Sequence, residues 1–447
     1  MILEIHLLQN FAPSNLNRSD TGAPKDCIFG GFRRARISSQ CTKRAIRKLF
    51  KDEKLLPKLD EKSFSEKADF EIALKLREEF RDNLGKRTKR LAKQTLFEKF
   101  VAVGNTEDDA EKVAEVLLAG ISVWLADETK TEYLLYFGNE EIRKLTKVGV
   151  DNFAELLATY DEMQKIKAES IEKKKKKSRI KSAIEKVIGK KSDVEKTIGK
   201  KLEDILDGGK AADIALFGRM LADLPERNIE AASQVANAIS THKTSVEFDF
   251  YTAVDDLKPD DIAGADMLGV IEFNSACYYR YANVNIEKLE ENLAGGKAVL
   301  DKLKEKVGDE EAKETLAALK NFAKITVEAF LRAAVEAIPT GKQNWSATHE
   351  KPDFILAVLQ DTAKCSMANA FVKPIKETED KDLIAASVEA FEKRWEKVAM
   401  GYGDDSFKKS FNISNYDLTL QSFKDAQEKS IEELIKKTVA QIFDKEA

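Results

Sequence analysis

The stretch from residue 52 to residue 208 constrains the fold most, because it is predicted to be helical almost throughout. It contains a single proline, Pro57, few glycines, and many Leu, Ala, Lys and Glu residues. These last four residue types favour helix. Strand-like sequence lies before and after the stretch. The pattern therefore predicts an α+β chain in which an all-helical block is inserted between strand-rich parts.

Short apolar runs mark the strands outside that block. Ile2 to Leu8 is predicted as a buried first strand that ends near a turn at Asn10 and Pro13. Further strands are predicted at Ile214 to Met220 and at Phe354 to Leu359. The remaining amphipathic or apolar segments predict helices at Glu287 to Ala337, Ile384 to Met400 and Phe423 to Phe443.

A long β-hairpin is predicted after residue 243. Val246, Phe248 and Phe250 alternate with polar residues, and a second β-rich run extends from Leu268 to Val284. The connection, DDLKPDDIAGAD at residues 255–266, consists of turn residues and carries five acids. We expect this tip to be mobile in an isolated chain.

Positive charge is concentrated in two places, although the formal net charge is -4. Residues 1–50 contain nine Lys or Arg against three Asp or Glu, and residues 165–201 contain fifteen against five. Such segregation is typical of a protein that meets a polyanion. The run of lysines at 173–177 indicates either phosphate attraction or an ordinary solvated helix face.

The segment RRARISSQCTKRAIRK at 33–48 is the strongest candidate for phosphate binding. Ser38 and Ser39 offer N-cap hydroxyls to a helix that extends to about Phe50. Gln40, Lys43 and Arg47 then share one helix face, near an N-terminus whose partial positive charge favours anions. The preceding basic strand and Gly30 with Gly31 favour this interpretation over a merely solvated helix face.

Enzyme chemistry has little support in the sequence. The chain has neither a P-loop nor a nucleophile elbow, and its three histidines and four cysteines lack the spacing of metal ligands. We therefore predict no cofactor and no metal. The sequence contains neither an apolar run of membrane-spanning length nor a recognisable signal peptide, so we expect a cytoplasmic protein without a membrane partner.

A resemblance to a known family extends over nearly the whole chain in order. It is carried by LNRSDTGAPKDCIFGGFRRARISSQCTKRAIR (16–47), FGRM (217–220), AISTHKTSVEFDFYTAVDDL (238–257), EFNSACYYRYANVNI (272–286), SMANAF (366–371) and MGYG (400–403). These segments resemble the CasC family, the backbone subunits of type I-E CRISPR Cascade complexes. Ser19 and Phe32 depart from the family pattern, since some relatives carry an acid and a base there.

The resemblance implies a hand-like architecture. An RRM-like (ferredoxin-like) palm is expected to hold a helical finger domain and a β-hairpin thumb. The expected boundaries are 1–51 for the first part of the palm, 52–208 for the finger, 209–242 for more of the palm, 243–272 for the thumb and 273–447 for the end of the palm with added helices.

The resemblance also implies a non-catalytic function. Several copies are expected to polymerise as a helical filament along crRNA, bind its phosphate backbone, and present kinked guide segments for pairing with target DNA. The implied partners are crRNA, target DNA, other copies of the chain, other Cascade subunits and, indirectly, a recruited helicase-nuclease.

The family's functional positions map onto named residues of this chain. The residues that resemble crRNA contacts are Arg18, Lys25, Ser38, Gln40, Lys43, Arg47 and Met220. Those that resemble thumb positions beside the flipped base are Tyr251, Thr252 and Leu268. Those that resemble target-DNA contacts of the finger are Lys173, Lys174, Lys175, Lys176, Lys177 and Lys181.

Two other functions stay open at this point. One is a guide-bound endoribonuclease, like the type III backbone subunits, with Asp26 as the candidate acid. A turn-forming Asp26, or one that forms an ion pair with Arg33 or Arg34, is the structural alternative. The other is a general single-strand RNA chaperone, which would show no preference for processed guide RNA.

Overall fold

The computed structural model describes residues 1–63, 66–89, 91–121, 123, 125, 130–131, 135–172, 205, 210–221, 225–253, 267–306, 309–361, 364–402, 409–417 and 421–444. The strands are β1 (Ile2–Ser14), β2 (Asp26–Phe29), β3 (Phe32–Ile37), β4 (Lys86–Thr88), β5 (Leu135–Phe137), β6 (Ser233–Val235), β7 (Ala238–Ser240), β8 (Glu247–Ala253), β9 (Met267–Asn285), β10 (Phe354–Gln360) and β11 (Lys409–Ser414). The helices are α1 (Ser39–Leu49), α2 (Lys67–Asp82), α3 (Leu91–Ala102), α4 (Glu107–Gly120), α5 (Asn139–Asp151), α6 (Phe153–Glu172), α7 (Ala212–Phe217), α8 (Ile286–Leu293), α9 (Lys297–Glu305), α10 (Glu310–Glu336), α11 (Gln343–Ser346), α12 (Leu383–Tyr402), α13 (Gln421–Asp425) and α14 (Ile431–Phe443).

One antiparallel sheet organises the first of two compact units. This unit comprises Met1–Ser63, Ser233–Glu287 and Lys324–Ala447. Its strand order is β11-β10-β1-β9-β7-β3-β2, and β6 and β8 also pair with β9. Strand β9 is long enough to serve two purposes, because its first residues pair with β8 and its later ones with β1, β6 and β7. The ribbon of β8 and β9 is the predicted long hairpin.

Apolar residues of the central strands build the core of this unit. Phe354, Leu356 and Val358 of β10 project from one face and pack with Phe391 and Trp395 of α12. The alternation of side chains along β10 brings every second residue to that face. Every residue of β10 is buried. This agrees with the apolar run from Phe354 to Leu359, from which the sequence predicts a strand.

His6 is enclosed in the same core. Its ring is fully buried, its Nδ1 lies 2.9 Å from the Tyr279 hydroxyl, and Phe391 and Trp395 pack edge-on against it. Burial lowers the pKa of His6 to about 3, because the charged imidazolium would lose its hydration. The histidine is therefore a neutral core residue.

The second unit comprises Phe64–Ala232 and Lys288–Ala323. Its core is formed by helices α3 to α6, with Phe100, Leu117 and Leu156 among the buried residues. Strands β4 and β5 form a separate two-stranded sheet. The predominance of helix in this part of the chain agrees with the sequence prediction.

The α+β class with an antiparallel sheet is confirmed, whereas the RRM-like description of the palm and the five domain boundaries stay predictions. The strand predicted at Ile214 to Met220 is wrong, because Ala212–Phe217 forms a buried helix there. The first strand continues past the expected turn to Ser14, because β9 pairs with it over that length, with an irregularity between Phe11 and Ser14. None of the helices in the described ranges has both the length and the apolar character needed to cross a bilayer.

Candidate nucleic-acid interface

Ser38 begins the basic helix α1 as predicted. The Cys41 N–H donates to the Ser38 hydroxyl over 3.3 Å, and the Ser38 N–H donates to Asn17 Oδ1 over 2.8 Å. The side chain is buried. N-capping satisfies a helix N–H that would otherwise have no partner, so the Ser38 hydroxyl has a structural role.

A basic arc follows along one side of α1. With 3.6 residues per turn, Lys43, Arg47, Gln40, Arg44 and Lys48 lie next to one another in that order over about 140° of the helix circumference. Lys43 and Arg47 are half-buried, whereas Gln40, Arg44 and Lys48 are exposed. Thr42, Ala45 and Ile46 are buried on the opposite side. The predicted contacts on the helix therefore share one surface, and Arg44 and Lys48 extend it.

The loop before β2 brings Arg18 and Lys25 toward this helix. Arg18 and Pro24 form an antiparallel bridge, and the Lys25 N–H donates to Asn17 O over 2.8 Å. The Lys25 carbonyl in turn accepts from the Arg36 N–H of β3. Arg18 lines a cavity together with Arg44 and Lys48. The structure thus groups Arg18 with two residues that the sequence analysis did not select.

Arg34 contributes to the basic segment in sequence but not to its surface. The side chain is fully buried. One guanidinium nitrogen donates to the carbonyls of Ser240 and Thr241, and the other to those of Phe371 and Val372, over 2.6 to 3.1 Å. Burial lowers the pKa of Arg34. Arg34 therefore ties β3 to two other segments of the sheet unit.

Gly30 and Gly31 form the turn between β2 and β3, both with positive φ. A Cβ at Gly30 would lie 2.1 Å from the Val372 carbonyl oxygen, whereas a Cβ at Gly31 would meet nothing within 4 Å. The backbone at Gly30 therefore packs closely against the backbone of Val372, and this contact requires glycine at position 30.

Asp26, the candidate acid, is the first residue of β2. Its Oδ2 lies 2.8 Å from Arg33 Nε, which is the ion-paired arrangement that the sequence analysis offered as the structural alternative. Among the described residues, no group of three or more His, Cys, Asp or Glu side chains is arranged to hold a metal ion.

Met220, in the second unit, is 79% exposed. The preceding residue anchors the segment, since Arg219 Nη1 lies 2.6 Å from Glu141 Oε1 and both side chains are fully buried. Gly218 has φ 74°, and a Cβ there would lie 2.7 Å from Ile229 O. An exposed methionine beside such a firmly held residue is available to contact a ligand.

The ribbon of β8 and β9 has two different faces. Thr252 pairs with Leu268 and Phe250 with Val270, so these residues share one face, where Phe250 and Leu268 are each 68% exposed. Tyr251 pairs with Gly269 on the other face. The predicted thumb residues therefore lie near one end of the ribbon but on both of its faces. Phe248, also exposed, continues the apolar face.

The predicted target-DNA contacts, Lys173 to Lys177 and Lys181, lie outside the described residues, as does the hairpin tip at 254–266. Their assignments stay predictions.

Fold and surface together define an α+β protein with a basic strand and helix on an antiparallel sheet and a long two-stranded ribbon. The chain belongs to the family of CT1975-like proteins, whose model matches residues 3–437. No curated protein matches it.

Chains of several solved structures are similar to this one, and two of them are as follows. A chain of a "CRISPR RNA-guided surveillance complex, pre-nicking" is 25% identical, and the match covers 99% of this chain and 100% of that chain with a TM-score of 0.66. A chain of a "CRISPR RNA-guided surveillance complex" is 20% identical, with the same coverage and a TM-score of 0.58. The second likeness shows a shared fold.

Proposed function

We propose that this protein is a non-catalytic, crRNA-binding backbone subunit of a type I-E CRISPR Cascade surveillance complex. The observation that carries the proposal is the whole-length likeness, at 25% identity, to a chain of an RNA-guided surveillance complex. Copies of the chain polymerise along crRNA, hold its phosphates and present guide segments for pairing with target DNA.

The basic arc of α1 supports phosphate binding. Gln40 lies in the first turn of α1, where the helix dipole favours anions, and Lys43 and Arg47 follow on the same surface, with Arg47 in the last turn. Arg18 and Lys25 lie on the adjoining loop. Phosphate contacts position RNA without reading its sequence, as a subunit that accepts any guide must do.

The two-faced ribbon supports the thumb assignment. Exposed aromatic and aliphatic side chains on a two-stranded ribbon can stack on, or wedge against, unstacked bases. Tyr251 and Leu268 offer such groups on opposite faces of the ribbon. In the proposed assembly the ribbon acts on the RNA segment held by the neighbouring copy.

The proposal gives Asp26 a structural role, because its carboxylate forms an ion pair with Arg33. A guide-bound ribonuclease would instead need this carboxylate for metal binding or proton transfer. Incubating the assembled complex with matched target RNA and Mg²⁺ separates the two functions. Cleavage that is lost in Asp26→Asn would establish the nuclease.

Co-expression of the chain with its partner subunits and a processed guide RNA tests the main proposal. We expect a ribonucleoprotein whose mass corresponds to several copies of this chain on one crRNA, and weaker capture of unrelated RNA. Recovery of the chain as an RNA-free monomer under these conditions would reject the proposal. Equal capture of all RNA would favour a general RNA chaperone.

A further inference from the structure

A cavity of about 640 Å³ lies beside α1 in the first unit. Three separate segments line it: the loop at 16–22, the side of α1 that carries Cys41, Arg44, Ala45 and Lys48, and residues 339–341. Its volume is large compared with a single buried water, so it can admit a ligand group of the size of a phosphate with part of its sugar.

The cavity is lined by three cations and one acid. Arg18 and Asp20 line it from the loop, and Arg44 and Lys48 line it from α1. In the part of the chain that the structure describes, none of the three cations forms an ion pair with a carboxylate. Lys48 also lies in the last turn of α1, where a cation suits the helix dipole, but that does not explain Arg44, which lies one turn earlier. The excess positive charge favours an anionic ligand.

The walls of the cavity are held by internal contacts. The Ser19 N–H donates to Ala23 O, the Gly22 N–H to Ser19 O, and the buried Asn15 side chain to Gly22 O. Gly341 lies against this loop so closely that a Cβ there would be 2.3 Å from Leu16 O. The site is therefore formed before any ligand arrives, which lowers the entropic cost of binding.

The side chains that line the cavity favour binding of a phosphate group over binding of a nucleobase. The side chains that line the cavity include Asn17, Ser19 and Thr340, whose polar groups can hydrogen-bond phosphate and sugar oxygens. Among the residues that the structure describes, no aromatic ring lines the cavity, although stacking on such rings is how unstacked bases are usually held.

We propose that this cavity binds a phosphodiester group of single-stranded RNA through Arg18, Arg44 and Lys48. The inference rests on the proposed function and deepens it. Lys43 and Lys48 mark the two edges of the basic arc. The proposal places RNA phosphates at both edges, two at Lys43 and Arg47 and one in the cavity. The backbone of the bound RNA therefore crosses the arc around Gln40.

The salt dependence of RNA binding tests this site with the full-length chain. For single strands, each phosphate contact contributes about 0.7 to the slope of log affinity against log salt. We expect Arg44→Gln with Lys48→Gln to reduce the slope by about 0.7, because the cavity holds one phosphodiester group. The matched control is Lys429→Gln with Lys436→Gln, which removes the same charge from exposed positions that do not line the cavity, and its slope should equal that of the unchanged chain.

A second measurement detects occupancy without a charge change. Hydrogen exchange at the Thr340 and Gly341 amides should slow when RNA binds, because these residues line the cavity and the ligand would shield them from water. Both residues are uncharged, so this readout does not depend on a change of charge. An unchanged slope in the double variant, or unchanged exchange at these amides, would overturn the cavity site while leaving the proposed function intact. Failure of the unchanged chain to bind any RNA would overturn both.

Discussion

Tyr251 lies over the backbone of Gly269, its partner across the β8–β9 ribbon. A Cβ at Gly269 would lie 2.3 Å from Tyr251 Cζ, so the absence of a side chain at 269 is what lets the ring lie there. Leu268, the neighbouring residue, faces the other way beside Thr252. The ribbon therefore offers Tyr251 on one face and Leu268, together with Phe248 and Phe250, on the other.

Gly269→Ala should displace the Tyr251 ring with little effect on stability. Alanine suits a strand better than glycine by roughly 0.5 to 1 kcal/mol, which offsets the cost of moving a flexible side chain. We expect assembly on guide RNA to weaken while the free energy of unfolding changes by less than about 1 kcal/mol. Native mass measurement and urea unfolding check the two effects.

Tyr251→Phe is the control for that experiment. It keeps the aromatic ring and removes only the hydroxyl, so it should assemble as the unchanged chain does if the ring's position is what matters. Normal assembly by Gly269→Ala would argue against a role for the position of Tyr251.

Lys43→Ala with Arg47→Ala should weaken RNA binding to the same extent for every guide sequence. Phosphate contacts carry no sequence information, and the slope of log affinity against log salt should fall by about 1.4 for two single-strand contacts. Filter binding with several unrelated guides at a series of salt concentrations measures both quantities. Loss confined to particular guides would contradict backbone contact.

His6 should make the protein less stable in mild acid. Its pKa is about 3 in the folded chain and about 6.5 when unfolded, so the unfolded state binds the extra proton between these values. Stability is therefore lost as pH falls from 6.5 toward 3. The linkage gives about 1.4 kcal/mol per pH unit, or about 2 kcal/mol between pH 7 and pH 5 for this group.

His6→Phe isolates that contribution, because other groups also titrate in the same range. Phenylalanine can pack among Phe391 and Trp395 without taking up a proton. The difference in urea-unfolding free energy between the unchanged chain and the variant should shift by about 2 kcal/mol from pH 7 to pH 5. A pH-independent difference would show that His6 can be protonated in the folded state.

The buried ion pair of Arg219 and Glu141 should be sensitive to the loss of one partner. Arg219→Met removes the cation 2.6 Å from the buried Glu141 carboxylate, and breaking a buried pair in this way typically costs about 3 to 5 kcal/mol. The double variant Arg219→Met with Glu141→Gln should recover part of the loss, since a neutral amide can still accept from the Gly138 N–H. Urea unfolding measures all three proteins, and equal stability of the single and double variants would show that the charge is not the cause.

Local sequence signals were enough to predict α1 and the long ribbon. An N-cap serine acts within three residues of itself, and alternation in β8 needs only its own residues, so both could be predicted without tertiary information. The strand predicted at Ile214 to Met220 is wrong because this segment carries no local signal of that kind. A short and wholly buried apolar run has no periodicity that separates helix from strand.

The distribution of roles among the arginines could not be predicted. Arg34 and Arg33 are adjacent in a basic strand, yet Arg34 is buried against backbone carbonyls and Arg33 pairs with Asp26. Arg44 lines the cavity together with residues 339–341, which are far away in sequence. Tertiary contacts of this kind leave no local trace in the sequence.

Removing the hairpin tip should separate RNA binding from regular assembly. The segment at 255–266 carries five acids and one lysine, so its loss should not weaken attraction to phosphates. Strands β8 and β9 pair from Glu247 with Phe273 to Ala253 with Met267, and a short turn can join them in its place. We expect a folded variant that still binds short RNA but forms no regular filament on a full-length guide, because in the proposed assembly the tip completes the contact with the neighbouring copy. Electron microscopy and chemical probing of flipped bases give the readout, and a variant that assembles with regularly spaced flipped bases would remove the tip from the mechanism.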